Sequence, residues 1–223
     1  EMRYTFSFVQ LIPIYSVIVL ISTFFDCYNI CEDSRPNSYN ETVSEDDAHK
    51  YTKFSTYMQK IRVDQPPPYL PERFKHLDTD QEIDPRFRFK FNNNNVKKFR
   101  VKFTGAIDLL GPHYLGTIGT FLNGWRWSES EILNEEELLA VRTSYYRLDH
   151  DENQPFKVIT VIHSNGKISI FFDEIPQDLG KYKIESIIEG ATVCRRGGKK
   201  YKKTFKINVP EKWIKPGTLV EYE

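Results

Sequence analysis

Phe156-Lys157-Val158-Ile159-Thr160-Val161-Ile162, then His163-Ser164-Asn165-Gly166-Lys167, then Ile168-Ser169-Ile170-Phe171-Phe172, is the stretch that decides the fold. The first seven residues are dominated by β-branched side chains, which suit a pleated surface better than a helix. Asn165-Gly166 tolerates the backbone angles of a tight turn, and a second apolar run returns from it, so the whole reads as a β-hairpin. Pro176 stops the return strand, because proline has no N–H for a ladder.

The same period of two extends upstream. Arg86-Phe87-Arg88-Phe89-Lys90-Phe91 alternates base and ring, and Phe99, Val101 and Phe103 alternate with Arg100 and Lys102. The run Asn92–Asn95 between them suits a turn, since asparagine accepts left-handed backbone angles. Alternating bases and rings also occur where single-stranded nucleic acid is stacked. In a neutral chain the half-buried strand is the stronger reading. Tyr114 to Leu122 reads as a strand closed by the turn pair Asn123-Gly124, with Trp125 and Trp127 on one side of the extended segment after it. Ser128-Glu129-Ser130-Glu131 has the form of a capping box and predicts a helix from Glu129 to Arg142, with Ile132, Leu133 and Leu139 inward. Further strands are expected at Lys183 to Ile188, Thr204 to Val209 and Thr218 to Tyr222. The fold class is therefore mainly β, an antiparallel sandwich or partly open barrel with at most one or two short helices.

Composition agrees with one β domain plus appendages. The chain has 223 residues, of which 14% are aromatic, a bias toward sheet structure. Lys+Arg and Asp+Glu are both 31, and a chain of zero net charge lacks the positive excess of a wholesale nucleic-acid binder. Three cysteines are too few for a disulfide-built mini-protein.

The first 27 residues read as an address. Phe8 to Phe25 is an 18-residue run without a charged side chain, preceded by Arg3 and followed by Asp26. That pattern describes a secretory signal peptide, with an uncleaved signal anchor as the alternative. Residues 28–71 read as an acidic, proline-rich linker that is largely disordered. Glu32 to Asp47 holds six acids against Arg35, and Pro66, Pro67, Pro68 and Pro71 favour a stiff polyproline spacer. Residues 72–223 form the β domain. Export makes the Asn40-Glu41-Thr42 sequon a candidate glycan site and Cys31–Cys194 a candidate disulfide, which requires Cα atoms within about 7 Å. Arg195, Arg196, Lys199, Lys200, Lys202 and Lys203 make a basic segment without an acid, a candidate patch for an anionic partner or a solvated loop.

With these elements placed, the chain resembles the plexin domain-containing proteins, the tumour endothelial marker group. The resemblance rests on Leu110-Gly111-Pro112-His113-Tyr114-Leu115 leading into Ile118 to Gly124, and on the hairpin from Phe156 through Asn165-Gly166-Lys167-Ile168 to Glu174-Ile175-Pro176. It continues in Lys183 to Ala191 with Arg195-Arg196, in Thr204 to Ile207, and in Gly217 to Tyr222. It covers, with gaps, residues 72–223. It implies a nidogen-like extracellular β region of a type I membrane receptor that binds secreted or matrix proteins, attached to the membrane in its full-length form. It also implies a longer middle with a core strand pair where this chain has the acidic interval Trp125 to Pro155, and a cysteine-rich plexin module and membrane span that do not follow Glu223. A fragment, divergent member or splice form is thus expected.

No catalytic constellation stands in the sequence. The five histidines (His49, His76, His113, His150, His163) lack ligand spacing, and Cys27 with Cys31 has no companion His or Cys, so neither metal nor cofactor is expected. Asp173 and Glu174 are neighbours on a strand and point to opposite faces, which does not suit paired carboxyl catalysis. The expected function is non-catalytic: an extracellular protein-interaction domain, with anionic glycans as further partners of the basic segment and no nucleic acid. The alternative is a secreted β-barrel for a small hydrophobic ligand. An open apolar interior marks the barrel, and a filled core marks the interaction domain.

Overall fold

Apolar residues recur at every second position through most of the chain, and paired strands bury them in a common interior. The computed structural model describes residues 40–54, 57–78, 80–122, 127–146, 155–176, 183–196 and 198–223. The signal segment, Cys27, Cys31, Asn123-Gly124, Trp125 and His150 lie outside the described residues.

The strands in chain order are β1 (Asn40–Glu45), β2 (His49–Phe54), β3 (Met58–Arg62), β4 (Lys75–Leu77), β5 (Glu82–Ile83), β6 (Phe89–Phe91), β7 (Asn94–Val96), β8 (Lys98–Val101) and β9 (Ile107–Leu110). They continue as β10 (Tyr114–Leu122), β11 (Trp127–Asn134), β12 (Leu138–Tyr146), β13 (Phe156–His163), β14 (Ile168–Glu174), β15 (Ile184–Arg196), β16 (Lys199–Asn208) and β17 (Thr218–Tyr222), with one 3-10 turn at Glu211–Trp213. A nine-stranded sheet runs β1-β2-β3-β17-β14-β13-β12-β11-β4, and a six-stranded sheet runs β16-β15-β10-β9-β8-β5. The hairpin β6-β7 stands apart from both. Among the described residues every pairing is antiparallel, and neither sheet closes into a barrel.

The two sheets share one core. Phe156, Val158, Ile162, Ile168, Ile170, Phe172, Val220 and Tyr222 from the large sheet join Phe99, Ile107, Leu109, Ile118, Ile188, Phe205 and Ile207 from the small one. Rings fill the space in two chains of contacts. Tyr145, Phe156 and Phe172 follow at 5.5 and 6.4 Å, and Tyr57 lies 6.1 Å from both Phe91 and Phe205. The Tyr145 hydroxyl ties the sheets together. It lies 2.7 Å from the Thr120 carbonyl and 2.9 Å from that of Thr104, and its one hydrogen is shared between them. Gly105 makes room for it: a Cβ there would meet that hydroxyl at 2.5 Å, and its φ of +74° suits glycine.

The quoted hairpin is β13–β14, in register from Val158↔Phe172 to Ile162↔Ile168, with a shift of register before Lys157↔Glu174. The turn is a three-residue loop, not the two-residue type. His163 N–H donates to the Lys167 carbonyl at 2.9 Å, and Gly166 alone takes positive φ, +95°. Asn165 serves through its side chain, whose Oδ1 accepts from Lys167 N–H at 3.0 Å. The asparagine run turns as expected, with Asn92 and Asn93 at φ 48° and 60°. Phe89, Phe91, Phe99 and Val101 are buried, whereas Phe103 is 61% exposed in the loop after β8.

Two expectations are corrected. No helix spans Glu129 to Arg142: that segment is the hairpin β11–β12, paired from Trp127↔Tyr146 to Asn134↔Leu139. The capping-box signal is local, while Ile132, Leu139, Val141 and Tyr145 gain burial only by facing the other sheet. The acidic interval therefore does hold a core strand pair, inserted between β13 and β4. The second correction concerns the linker. Residues 40–62 form β1, β2 and β3, and β3 pairs with β17 from Gln59↔Tyr222 to Arg62↔Leu219. Acid-rich composition did not preclude strands, because Thr52, Gln59 and Ile61 supply an inward face. The proline segment is no free spacer either. Leu70 and Phe74 pack on a second apolar cluster of Leu133, Ala140, Ile159, Val161 and Phe171, on the outer face of the large sheet.

Candidate functional site

The basic segment lies on the longest hairpin of the small sheet. β15 and β16 pair from Ile187↔Asn208 to Arg196↔Lys199, so the tip carries Arg195 opposite Lys200 and Arg196 opposite Lys199. Gly198 turns it with φ of +76°. Lys202, Thr204 and Lys206 are exposed and share one side of β16 at a spacing of two, while Phe205 and Ile207 face the core. The six sequence-predicted bases thus belong to one paired ribbon, not to a loop. Phe205 packs across the strand onto Gly190, where a Cβ would meet its ring at 2.3 Å. That close approach explains a glycine in the middle of β15.

A cleft of about 560 Å³ runs beside this ribbon, lined by Tyr114, Glu189, Gly190, Ala191, Lys202, Thr204, Phe205 and Lys206. A polar relay over three strands reaches the cleft through Tyr114 and Glu189. Thr117 Oγ1 donates to Asp108 Oδ1 at 2.7 Å, and Lys102 Nζ meets Asp108 Oδ2 at 3.0 Å. The Tyr114 hydroxyl lies 2.7 Å from Thr117 Oγ1 and 3.1 Å from Glu189 Oε1. The Thr117 hydrogen is used on Asp108, so the phenol donates to Thr117 or Glu189. Burial pushes its pKa up to about 12, so it remains a neutral donor across the physiological range. Lys206 Nζ pairs with Glu185 Oε1 at 2.7 Å on the same face.

A second groove of about 280 Å³ opens on the other side of β16. It is lined by Thr42, Lys50, Thr52, Phe54, Gln59, Lys206, Asn208 and Pro210. Gln59 Nε2 donates to the Tyr222 hydroxyl at 3.1 Å and to the Asn208 carbonyl at 3.3 Å. Lys50 Nζ stands 3.2 Å from Glu45, whose carboxyl is held below its usual range by hydrogen bonds from Lys212 and then Lys50. Thr52 Oγ1, on a residue 3% exposed, has no hydrogen-bond partner among the described residues.

The other sequence candidates scatter. Asn40 opens β1 opposite Phe54, and Thr42 of its sequon is exposed. Cys194 is disulfide-bonded and 1% exposed, and Cys31, the partner expected from the sequence, lies outside the described residues. His49 meets Asp46 at 3.2 Å, His76 is exposed on β4, and the His113 carbonyl closes a turn with Gly111 N–H at 3.0 Å. Half-burial depresses the pKa of His163, helped by Lys167. Asp173 is raised by desolvation first and by Glu174 second, while Glu174 pairs with Lys157 at 2.8 Å. No cluster of metal-ligating side chains occurs among the described residues. Sequence reasoning missed Tyr114, Glu189, Lys50, Thr52 and Gln59, which come from β10, β15, β2 and β3; only Lys50 and Thr52 share a strand. Lys206 lay within the strand expected at Thr204 to Val209, apart from the basic segment. No family model, curated protein or solved structure matches the chain.

Proposed function

We propose that this chain is a non-catalytic extracellular interaction domain, part of a cell-surface protein of the plexin domain-containing type that binds secreted or matrix proteins. The observation that carries the reading is the filled interior. Rings from both sheets occupy the space between them, and the sheets do not close into a barrel, so recognition falls to outer faces, edges and loops. This disfavours the ligand barrel that the aromatic content had also suggested. The disulfide at Cys194 supports an oxidising compartment. The ribbon β15–β16 is the favoured contact surface, since its lysines steer an acidic partner and stand beside two hollows.

Expression of the whole chain in insect cells tests compartment. The expected product reaches the medium or cell surface, loses mass on deglycosylation, and no longer does so as Asn40→Gln. A cytosolic product with unmodified Asn40 and a reduced Cys194 would refute the reading.

A further inference from the structure

The two sheets are out of step at one side. β16 ends the small sheet, and it contacts β3 of the large one, where Gln59 Nε2 reaches the Asn208 carbonyl. β2 and β1 lie beyond β3, so their inner face extends past β16 as a shelf. Thr42, Lys50, Thr52 and Phe54 stand on that shelf, and the edge of β16 forms the wall of the 280 Å³ groove above it.

The wall is an open ladder. Successive residues of a strand aim their N–H and C=O alternately to either side. Val209 N–H donates to the Ser186 carbonyl at 2.9 Å, toward β15, so Asn208 faces away, and its carbonyl accepts from Gln59. By the same alternation Lys206, Thr204 and Lys202 direct their backbone groups away from β15, where no strand of the described residues pairs with them.

We infer that β16 is a strand-addition site for an extended, acidic segment of a partner protein. This deepens the interaction reading above and rests on it. Main-chain hydrogen bonds to Lys202, Thr204 and Lys206 supply affinity, and alternate side chains of the added strand meet the shelf. Charge selects the occupant. Residues 199–208 carry Lys199, Lys200, Lys202, Lys203 and Lys206 and no acid. Like charges disfavour a second copy of β16 along this edge, and complementary carboxylates favour an acidic strand. Thr52, whose buried hydroxyl has no hydrogen-bond partner among the described residues, also lines the groove.

The test uses the whole chain and a fluorescent peptide of about eight alternating Glu and Val residues, followed by anisotropy. Saturable binding is expected, with affinity about tenfold lower when every peptide amide is N-methylated, since charge is kept and ladder donors are lost. Thr204→Pro removes only an outward N–H and is expected to lower affinity about tenfold with the circular dichroism spectrum unchanged. The pair Lys202→Glu and Lys206→Glu is expected to abolish binding. Equal affinity for the methylated peptide would overturn strand addition, as would full binding by folded Thr204→Pro. Equal binding of a Lys-Val peptide would overturn the acidic assignment. A dimer of the chain dissolved by Thr204→Pro would give the edge to a second copy and overturn it too. Should Thr204→Pro not fold, the methylated peptide on the unaltered protein decides. Failure here leaves the compartment experiment on Asn40 and Cys194 untouched.

Discussion

The outer faces of the two sheets follow opposite plans. On the large sheet, β11–β14 and β17 are apolar on both sides. Leu133, Ala140, Ile159, Val161, Phe171 and Leu219 face outward, and the proline segment covers them with Leu70 and Phe74. Arg142 lies over the Phe74 ring at 4.2 Å and fastens the strap at its end. Tyr69, just before the first anchor, is 99% exposed. On the small sheet the outer face is wet. Glu82 pairs with Lys98 at 2.9 Å and Arg100 at 2.5 Å, Lys102 pairs with Asp108, and Lys206 with Glu185. A sheet in a two-layer fold has one face to bury against its partner. A second apolar face needs its own cover, and a charged one needs only water.

The shared interior sets the scale against which both plans are measured. Phe172→Ala empties a fully buried ring site beside Phe156 and is expected to cost about 3–5 kcal/mol in denaturant melts. A loss under about 1 kcal/mol would mean that the two sheets do not share a rigid core.

The strap comes next. Leu70→Ser with Phe74→Ser uncovers the outer apolar cluster and is expected to cost about 2–3 kcal/mol, the side chains being only partly buried. Increased binding of a hydrophobic dye should accompany the loss. If stability and dye binding are both unchanged, the strap is a passenger and the contrast between the faces collapses.

On the wet face the effect is smaller. Thr117→Val removes the hydroxyl that donates to Asp108, a buried carboxylate that keeps Lys102, and is expected to cost about 1–2 kcal/mol. Proton NMR should also show the Tyr114 phenol losing one of its two partners. A cost equal to that of the strap would make this face structural instead of solvated.

The smallest effect expected is a pH dependence on the strapped side. The pKa of His163 is lowered in the folded state, so the unfolded chain binds the proton more readily. Stability from this group is full above about pH 6.5 and is lost as pH falls through the unfolded value toward the folded one. His163→Gln should flatten that part of the stability profile. An unchanged profile would assign the dependence to other groups.

The sequence by itself determined which residues turn inward. β13–β14 were legible to within two residues, β17 and β10 at both ends, and the asparagine turn by residue type, because alternation and turn chemistry are local. The basic run was legible as a segment, but its place on one continuous strand with Thr204 and Lys206 was not. What the tertiary structure alone decided is neighbourhood. Ser128 to Glu131 carries a helix-start signal, and only pairing with β12 and β4 makes it strand. Residues 40–62 look like linker until β17 offers them an edge. The groove between Thr52 and Lys206 joins residues 154 positions apart, and no spacing along the chain encodes it. A strand's pattern states which side is apolar, but the strand beside it is chosen by long-range pairing across the whole domain.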